Sequence, residues 1–462
     1  MTDYFALCST LNQAMLPAAQ EARLLYLLVE IAPNPQLPIR RAPVNLALVV
    51  DASDSMRIPA LDDDLVEELA RRGLLLETET DGIPVFKVLN MPADLLARAD
   101  PVCSMDFVQQ ALGVLVDRLA PDDRISLVAF AGHAETLISN RTGQERRKIL
   151  EVLDTLDSGQ FGDDTCLAAG LRMALQEAQR GHTPDRLSRL LLLTDGFAVD
   201  EPQAMAVATQ IAAGGFTLST VGLGLAFNEG FLIGLAELSG GNAHMVFRPA
   251  EIPGVFAAEL EATQKVVLRG VDLRLALASG VAVRRAYRVV PVLSELALDT
   301  LHERSLTFAL GDLERDQSQS VLLELLIPPR PAGAYRIAQI VATGAPTQRQ
   351  NERALARSDV LLQITPAGRP LPPANARVMA LVERLGTFKL QTRALADAAN
   401  GDIAGATRKL QAAVTRLLAD GETEMATTVE AEIANLTEQG QMSAAGTKKL
   451  RYETRKLTQK LG

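Results

Sequence analysis

The spacing of apolar residues along the chain changes from region to region. VNLALVVD (44–51) is apolar on both faces, which is typical of a central strand in a parallel sheet. Further strands of this kind, RISLVAFA (124–131) and SRLLLLTDG (188–196), alternate with segments of helical spacing such as CLAAGLRMALQEAQR (166–180). This alternation predicts a doubly wound, Rossmann-like α/β domain over residues 43–257.

From residue 258 the pattern becomes a series of strands without helices between them. LRGVDLRLAL, SLTFALGDL and QSVLLELLIPP are separated by turn residues, which predicts a β-sandwich over residues 258–366. LLYLLVEIAP (24–33) is also strand-like and precedes the α/β domain. We therefore expect residues 1–42 to contribute at least one strand to the β-sandwich, with the α/β domain inserted into it.

Beyond the proline-rich segment PAGRPLPP (366–373), the pattern is helical to the end of the sequence. Glycine and polar residues divide this part into four predicted helices, at 374–399, 402–419, 422–438 and 443–460. Residues 367–462 are therefore predicted to form a C-terminal helical domain, either a small bundle or an array of helical hairpins.

Composition narrows the classes of partner. The 462 residues carry a net charge of −10, which argues against nucleic acid as the main partner. The apolar runs are too short to span a bilayer, and the N-terminal segment lacks the basic start of a signal peptide. The three cysteines are too far apart in sequence to suggest a disulfide framework or a CxxC metal site. We expect a cytoplasmic protein without a membrane or nucleic-acid partner.

Hydroxyl and carboxylate side chains follow the predicted central strands. DASDS brings Asp51, Ser53 and Ser55 to the end of the strand at 44–51, Thr165 precedes a predicted helix, and Asp195 ends another strand. A DxSxS segment alone is usually a helix cap or a turn. In a doubly wound sheet, however, loops at the carboxyl ends of strands converge on one edge. Oxygen donors without imidazole or thiolate favour Mg²⁺, with Mn²⁺ or Ca²⁺ as alternatives.

These segments resemble the metal-ion-dependent adhesion site of von Willebrand factor type A domains, and the likeness extends over residues 44–256. It implies a protein of the bacterial intracellular type. It also implies that hydroxyl ligands contact the metal directly while carboxylates act largely through water. The implied direct ligands are Ser53, Ser55 and Thr165, and the implied water-mediated ones are Asp51 and Asp195.

The sequence departs from the family pattern in two places. Asp54 stands where the family commonly has glycine, which we expect to be tolerated if its side chain faces solvent. Residues 57–104 separate the DASDS loop from the helix that usually follows it, here predicted from Met105 with Ser104 as its cap. The insertion contains a predicted helix with Leu61, Leu65 and Leu69 on one face and a hairpin turning at Asp81-Gly82. It is either surface decoration or a lid that selects partners.

The function implied by this resemblance is that of a non-enzymatic adaptor, which we expect to act in an intracellular signalling or assembly complex. A metal held mainly by neutral hydroxyls stays electrophilic, so an Asp or Glu carboxylate of a partner protein is the natural remaining ligand. One alternative is a phosphatase-like metal-dependent hydrolase, although no second carboxylate pairs with Asp51 as a nucleophile and no general base is evident. Another is a soluble subunit of a chelatase or AAA ATPase system. The sequence does not identify the partner.

Overall fold

The computed structural model describes most of the chain, with several gaps. The described residues are 4–37, 41–57, 68–69, 71–80, 83–88, 92–96, 103–153, 156, 161–162, 164–224, 227–298, 304–347 and 352–458. The chain divides into two compact units, one of residues 1–40 with 265–462 and one of residues 41–264.

Three strands come first and belong to the discontinuous unit. They are β1 (Phe5–Leu11), β2 (Met15–Pro17) and β3 (Arg23–Pro33).

Strands and helices alternate through the second unit. Its strands are β4 (Val44–Asp51), β5 (Leu75–Thr80), β6 (Ile83–Val88), β7 (Arg124–Phe130), β8 (Ala134–Thr142), β9 (Leu187–Thr194), β10 (Thr217–Leu223) and β11 (Ala243–Val246). Its α-helices are α1 (Ala93–Leu96), α2 (Ser104–Arg118), α3 (Arg146–Leu153), α4 (Leu167–Gly181), α5 (Glu201–Ala213), α6 (Glu229–Leu238) and α7 (Ile252–Gln264). Short 3₁₀ turns lie at Asp54–Arg57, Gly143–Glu145 and Pro249–Glu251.

Six of these strands form one sheet in the order β11-β10-β9-β4-β7-β8. Neighbouring strands are parallel, except that β8 runs antiparallel to β7 at the edge. The chain passes from β4 to β7 on one side, and β9, β10 and β11 then extend the sheet on the other side. The strand order therefore reverses between β4 and β9, which is where ligand crevices form in doubly wound sheets.

The predicted α/β alternation is confirmed, but some details of this unit were wrong or missed. Helix α2 begins at Ser104 with Cys103 as its cap, because the Asp106 carboxylate accepts a hydrogen bond from the Cys103 backbone N at 2.6 Å. The antiparallel strand β8 and the helix α7 were missed. Because Ile252, Phe256 and Leu260 of α7 are buried in this unit's core, the unit ends at residue 264 rather than 257.

The predicted hairpin of the insertion is present. β5 pairs with β6 in antiparallel register, with Thr80 opposite Ile83. The turn at residues 81–82, together with Leu61 and Leu65 of the predicted helix, lies outside the described residues, while Leu69 is buried.

Within its described residues, the discontinuous unit continues with seven strands and four helices. The strands are β12 (Val266–Leu277), β13 (Ala282–Val290), β14 (Ser294–Leu296), β15 (Ser305–Glu314), β16 (Gln319–Ile327), β17 (Gly333–Pro346) and β18 (Ala354–Thr365). The helices are α8 (Ala376–Ala399), α9 (Ile403–Ala419), α10 (Thr423–Gln439) and α11 (Ala444–Thr454), in agreement with the four predicted segments.

The strands of this unit form two five-stranded sheets, ordered β1-β3-β16-β13-β14 and β15-β12-β17-β18-β2. The strand predicted at 24–33 is β3, and it pairs antiparallel with β16, with Val29 opposite Val321. Leucines of both sheets, among them Leu27 and Leu273, share one buried core. Residues of the first sheet such as Leu322 also pack with helix residues such as Leu381 in a separate cluster.

Candidate metal centre

The candidate site lies at the carboxyl ends of β4 and β9, where the strand order reverses. Val50 is paired with Leu193, so the last residue of β4, Asp51, comes level with Thr194 at the end of β9. Asp195 is the next residue. Sequence positions about 140 apart thus meet because two parallel strands end together.

Both carboxylate oxygens of Asp51 are engaged by neighbours. Oδ1 accepts a hydrogen bond from the backbone N of Ser53 at 3.0 Å, and Oδ2 accepts one from the Thr194 hydroxyl at 2.6 Å. Asp51 is fully buried. The carboxylate is therefore held in one orientation and shapes the loop that carries the two serines.

The serines extend this network to the second carboxylate. The hydroxyl oxygens of Ser53 and Ser55 lie 3.0 Å apart, and the Ser55 hydroxyl donates to Asp195 Oδ1 at 2.7 Å. Asp51, Ser53, Ser55 and Asp195 are thus brought together as the sequence analysis predicted.

Thr165 is buried and lies beside Gly196, the residue that follows Asp195. Its hydroxyl oxygen is 3.0 Å from the point that a β-carbon on Gly196 would occupy, so the glycine keeps that space open. The carboxylate of Asp200 accepts hydrogen bonds from the backbone N of Leu167 and of Ala168, both at 2.9 Å, and so caps α4 directly after Thr165.

Sequence reasoning missed two supporting residues, Thr194 and Asp200. Thr194 orients Asp51, and Asp200 fixes the loop of Thr165. Thr194 could have been identified from its position immediately before Asp195. No sequence signal identified Asp200, because it caps a helix that begins 33 residues earlier in the chain and not the helix that follows it.

Asp54, the departure from the family pattern, points away from the network as expected. Its side chain is 65% exposed and pairs with Arg57 at 3.3 Å. Arg57 also donates to the carbonyl of Ala52 at 3.1 Å. A carboxylate at this position therefore does not compete for the space between the serines.

Asp51, which is fully buried, and Asp195, which is partly buried, oppose each other's ionisation. Burial raises the pKa of Asp51. Burial, together with the negative charge of Asp51, raises the pKa of Asp195 from its ordinary value of 3.8 to about 7, although the Ser55 hydrogen bond acts in the opposite direction. A divalent cation at this point would remove the conflict by favouring both charged forms.

This conflict predicts a pH dependence of the metal-free protein. A carboxyl whose pKa is raised on folding contributes stability that is present below its unfolded pKa and is lost as pH rises through its folded value. The melting temperature in EDTA should therefore fall between pH 5 and pH 8 more for the natural protein than for Asp195→Asn, because that window spans the pKa of about 7. In millimolar Mg²⁺ the melting temperature of the natural protein should instead fall less over this pH range than that of Asp195→Asn. Equal slopes in calorimetry would contradict it.

The donor set suits a hard cation. Three hydroxyl side chains and two carboxylates supply only oxygen atoms, the ligand type of Mg²⁺, Mn²⁺ and Ca²⁺. Among the described residues no group of three or more His, Cys, Asp or Glu side chains is arranged to hold a metal, so these hydroxyls would be essential to binding. Direct contact of Ser53, Ser55 and Thr165 with such an ion stays a prediction.

Comparison with known proteins identifies two parts of the chain. Residues 104–256 match the model of the von Willebrand factor type A domain, a segment that contains Thr165 and Asp195 and begins after the insertion. Residues 376–460 match a model described as the Sll0103-like, C-terminal alpha-helical domain.

Curated relatives are distant in sequence. "Uncharacterized protein sll0103" of Synechocystis sp. is 27% identical over 305 residues, which are 65% of this chain and 61% of that protein. "Uncharacterized protein YfbK" of Escherichia coli is 27% identical over 176 residues, which are 37% of this chain and 30% of that protein. The matched region thus spans less than two thirds of each relative.

Solved structures support the fold. A structure described as von Willebrand factor type A from Catenulispora acidiphila aligns with a TM-score of 0.74 at 15% identity, covering 98% of this chain and 97% of that one. The ArnB paralog VWA2 from Sulfolobus acidocaldarius aligns with a TM-score of 0.56 at 14% identity, covering 98% and 99%.

None of the described helices combines the length and the apolar character that a bilayer span needs. The family match, the sheet order and these alignments all indicate the same fold for the α/β unit. The chain contains a von Willebrand factor type A domain and, nearer its C-terminus, an α-helical domain of the Sll0103 type.

Proposed function

We propose that this protein is a non-enzymatic adaptor that docks a partner protein through a divalent cation, most naturally Mg²⁺, held at the carboxyl ends of β4 and β9. The observation that carries the proposal is the hydrogen-bonded series Ser53–Ser55–Asp195, placed beside Asp51 at the reversal of strand order. When bound, the ion supplies a positive centre that attracts a carboxylate from another molecule.

The chain's own residues prepare this site. Thr194 and the backbone of Ser53 orient Asp51, and Asp51 in turn fixes the serine loop. Ser55 links that loop to Asp195 at 2.7 Å. Because neutral hydroxyls cancel none of the ion's charge, affinity for an Asp or Glu of a partner is retained.

A hydrolytic role receives less support from the same geometry. Both oxygens of Asp51 are occupied by hydrogen bonds from Ser53 and Thr194, so this carboxylate is poorly placed to act as a nucleophile. The relatives carry no enzymatic name.

The remaining parts of the proposal concern the setting of the site. We regard the two five-stranded sheets as a β-sandwich into which the α/β domain is inserted, since the chain leaves that unit at residue 40 and returns at 265. Cys8, Cys103 and Cys166 are free thiols, which suits a reducing, cytoplasmic compartment.

Affinity capture tests the proposed function. The full chain is immobilised, exposed to cell extract with Mg²⁺ or with EDTA, and the bound proteins are identified by mass spectrometry. We expect a partner that is retained only with Mg²⁺, is lost on Thr165→Ala, and is lost again when one Asp or Glu of the partner is changed to its amide. A partner retained equally in EDTA would contradict metal bridging.

A further inference from the structure

The mouth of the candidate metal centre, so far as the structure describes it, consists of loops 52–57, 164–166 and 195–200. Val199 lies on the third loop with 67% of its surface exposed. Its backbone N donates to the carbonyl of Thr165 at 3.2 Å, so the backbone of Val199 is held beside a predicted metal ligand. A single exposed apolar residue is ordinary on a protein surface. At this position it would be covered by any partner that reaches the ion.

Charge at the same mouth is predominantly negative. Asp54 follows Ser53 and is exposed, and Asp164 precedes Thr165 and is exposed. The basic residue of the three loops, Arg57, already donates to Asp54 and to a backbone carbonyl. The ion would therefore attract one carboxylate while its surroundings repel further negative charge.

We propose that this mouth selects a partner segment in which the docking Asp or Glu is flanked by an apolar residue, which covers Val199, and by a basic residue, which faces Asp164. The inference rests on the proposed function and specifies the partner that the site accepts. Acidic runs are rejected because their additional carboxylates meet Asp164. Selectivity thus combines an attractive contact with a repulsive one.

Synthetic peptides test this selectivity on the full chain. Three peptides carry one Asp in a Gly/Ser frame, with neighbours Leu and Lys, Ser and Ser, or Glu and Glu. Fluorescence anisotropy in Mg²⁺ should give the tightest binding for Leu/Lys and the weakest for Glu/Glu, with no binding of any peptide in EDTA.

Variants separate the two contacts. Val199→Ser should weaken the Leu/Lys peptide by about fivefold through loss of apolar burial, and should leave the Ser/Ser peptide almost unaffected. The matched control is Leu361→Ser, a 65% exposed residue of the other unit, which should change neither peptide. Asp164→Asn should narrow the preference for Leu/Lys over Glu/Glu by about threefold, as should added salt. Calorimetric titration of Mg²⁺ into each variant distinguishes a lost contact from a lost ion.

The outcomes distinguish this inference from the proposed function. Equal Mg²⁺-dependent affinity for all three peptides would overturn the selectivity and leave metal-bridged docking intact. Failure of every peptide to bind in Mg²⁺ would overturn both. A preference for Leu/Lys that survives Val199→Ser and Asp164→Asn would assign the selectivity to other residues and overturn the inference.

Discussion

Removing both serine hydroxyls, in Ser53→Ala/Ser55→Ala, should abolish the stabilisation of the protein by Mg²⁺. In the natural protein an ion at about one hundred times its dissociation constant adds about 2.7 kcal/mol to the free energy of unfolding of the unit that binds it. The double variant lacks two of the three proposed direct ligands, which Thr165 alone cannot replace. The melting temperature should then be the same in Mg²⁺ and in EDTA, and Mg²⁺-dependent partner capture should be lost.

The variant should still fold. Its cost in EDTA is the loss of the hydrogen bond from Ser55 to Asp195 and of the one between the two serine hydroxyls, each worth about 1 kcal/mol. Ser9→Ala/Ser358→Ala is a matched control, because it removes another serine pair, with hydroxyl oxygens 2.8 Å apart, from the other unit. The control should keep its full response to Mg²⁺. If Mg²⁺ still stabilises Ser53→Ala/Ser55→Ala, the two serine hydroxyls are not ligands of the ion.

Lys389→Met should destabilise the discontinuous unit by about 3 kcal/mol, because it leaves a buried carboxylate without its partner. Glu324 lies in β16, within the run VLLELLI that is otherwise apolar, and is buried. The Lys389 ammonium contacts the Glu324 carboxylate and lies 4.5 Å from the centre of the Tyr287 ring. This contact joins α8 to the sheet that contains β16.

Two further variants test whether the loss of stability comes from the unpaired carboxylate. Lys389→Met/Glu324→Leu removes both charges and should recover most of the lost stability, since an apolar pair can replace a buried ion pair. Lys456→Met breaks an exposed pair with Glu453 and should cost less than about 1 kcal/mol. Urea unfolding measures the stability of each variant. The relevant transition is the one that Mg²⁺ does not shift, because it belongs to the discontinuous unit. A loss below about 0.5 kcal/mol for Lys389→Met would contradict the buried pair.

Apolar periodicity predicted the α/β alternation and the carboxyl-end position of the candidate site. The carboxyl ends of parallel strands lie at the same edge of a sheet. Asp51 and Asp195 could therefore be placed near each other without knowledge of the strand order. What periodicity did not supply was long-range pairing. Lys389 as the partner of Glu324 is one example, because nothing in an isolated charge within an apolar strand indicates which distant cation balances it.

The missed elements have local causes. β8 is a half-exposed strand whose polar positions interrupt the apolar pattern. Helix α7 begins with Ile252-Pro253-Gly254, and Pro and Gly usually indicate a turn, although Pro is tolerated in the first turn of a helix. Its burial against the core, rather than its intrinsic propensity, accounts for the helix.

A crystal structure of the protein grown with Mn²⁺, with anomalous diffraction measured to locate the ion, tests the central claim most directly. The account predicts one anomalous peak at the carboxyl ends of β4 and β9, with the hydroxyl oxygens of Ser53, Ser55 and Thr165 at about 2.1 Å from it. A crystal that showed no peak there, with the Thr165 hydroxyl turned away from both serines, would contradict it.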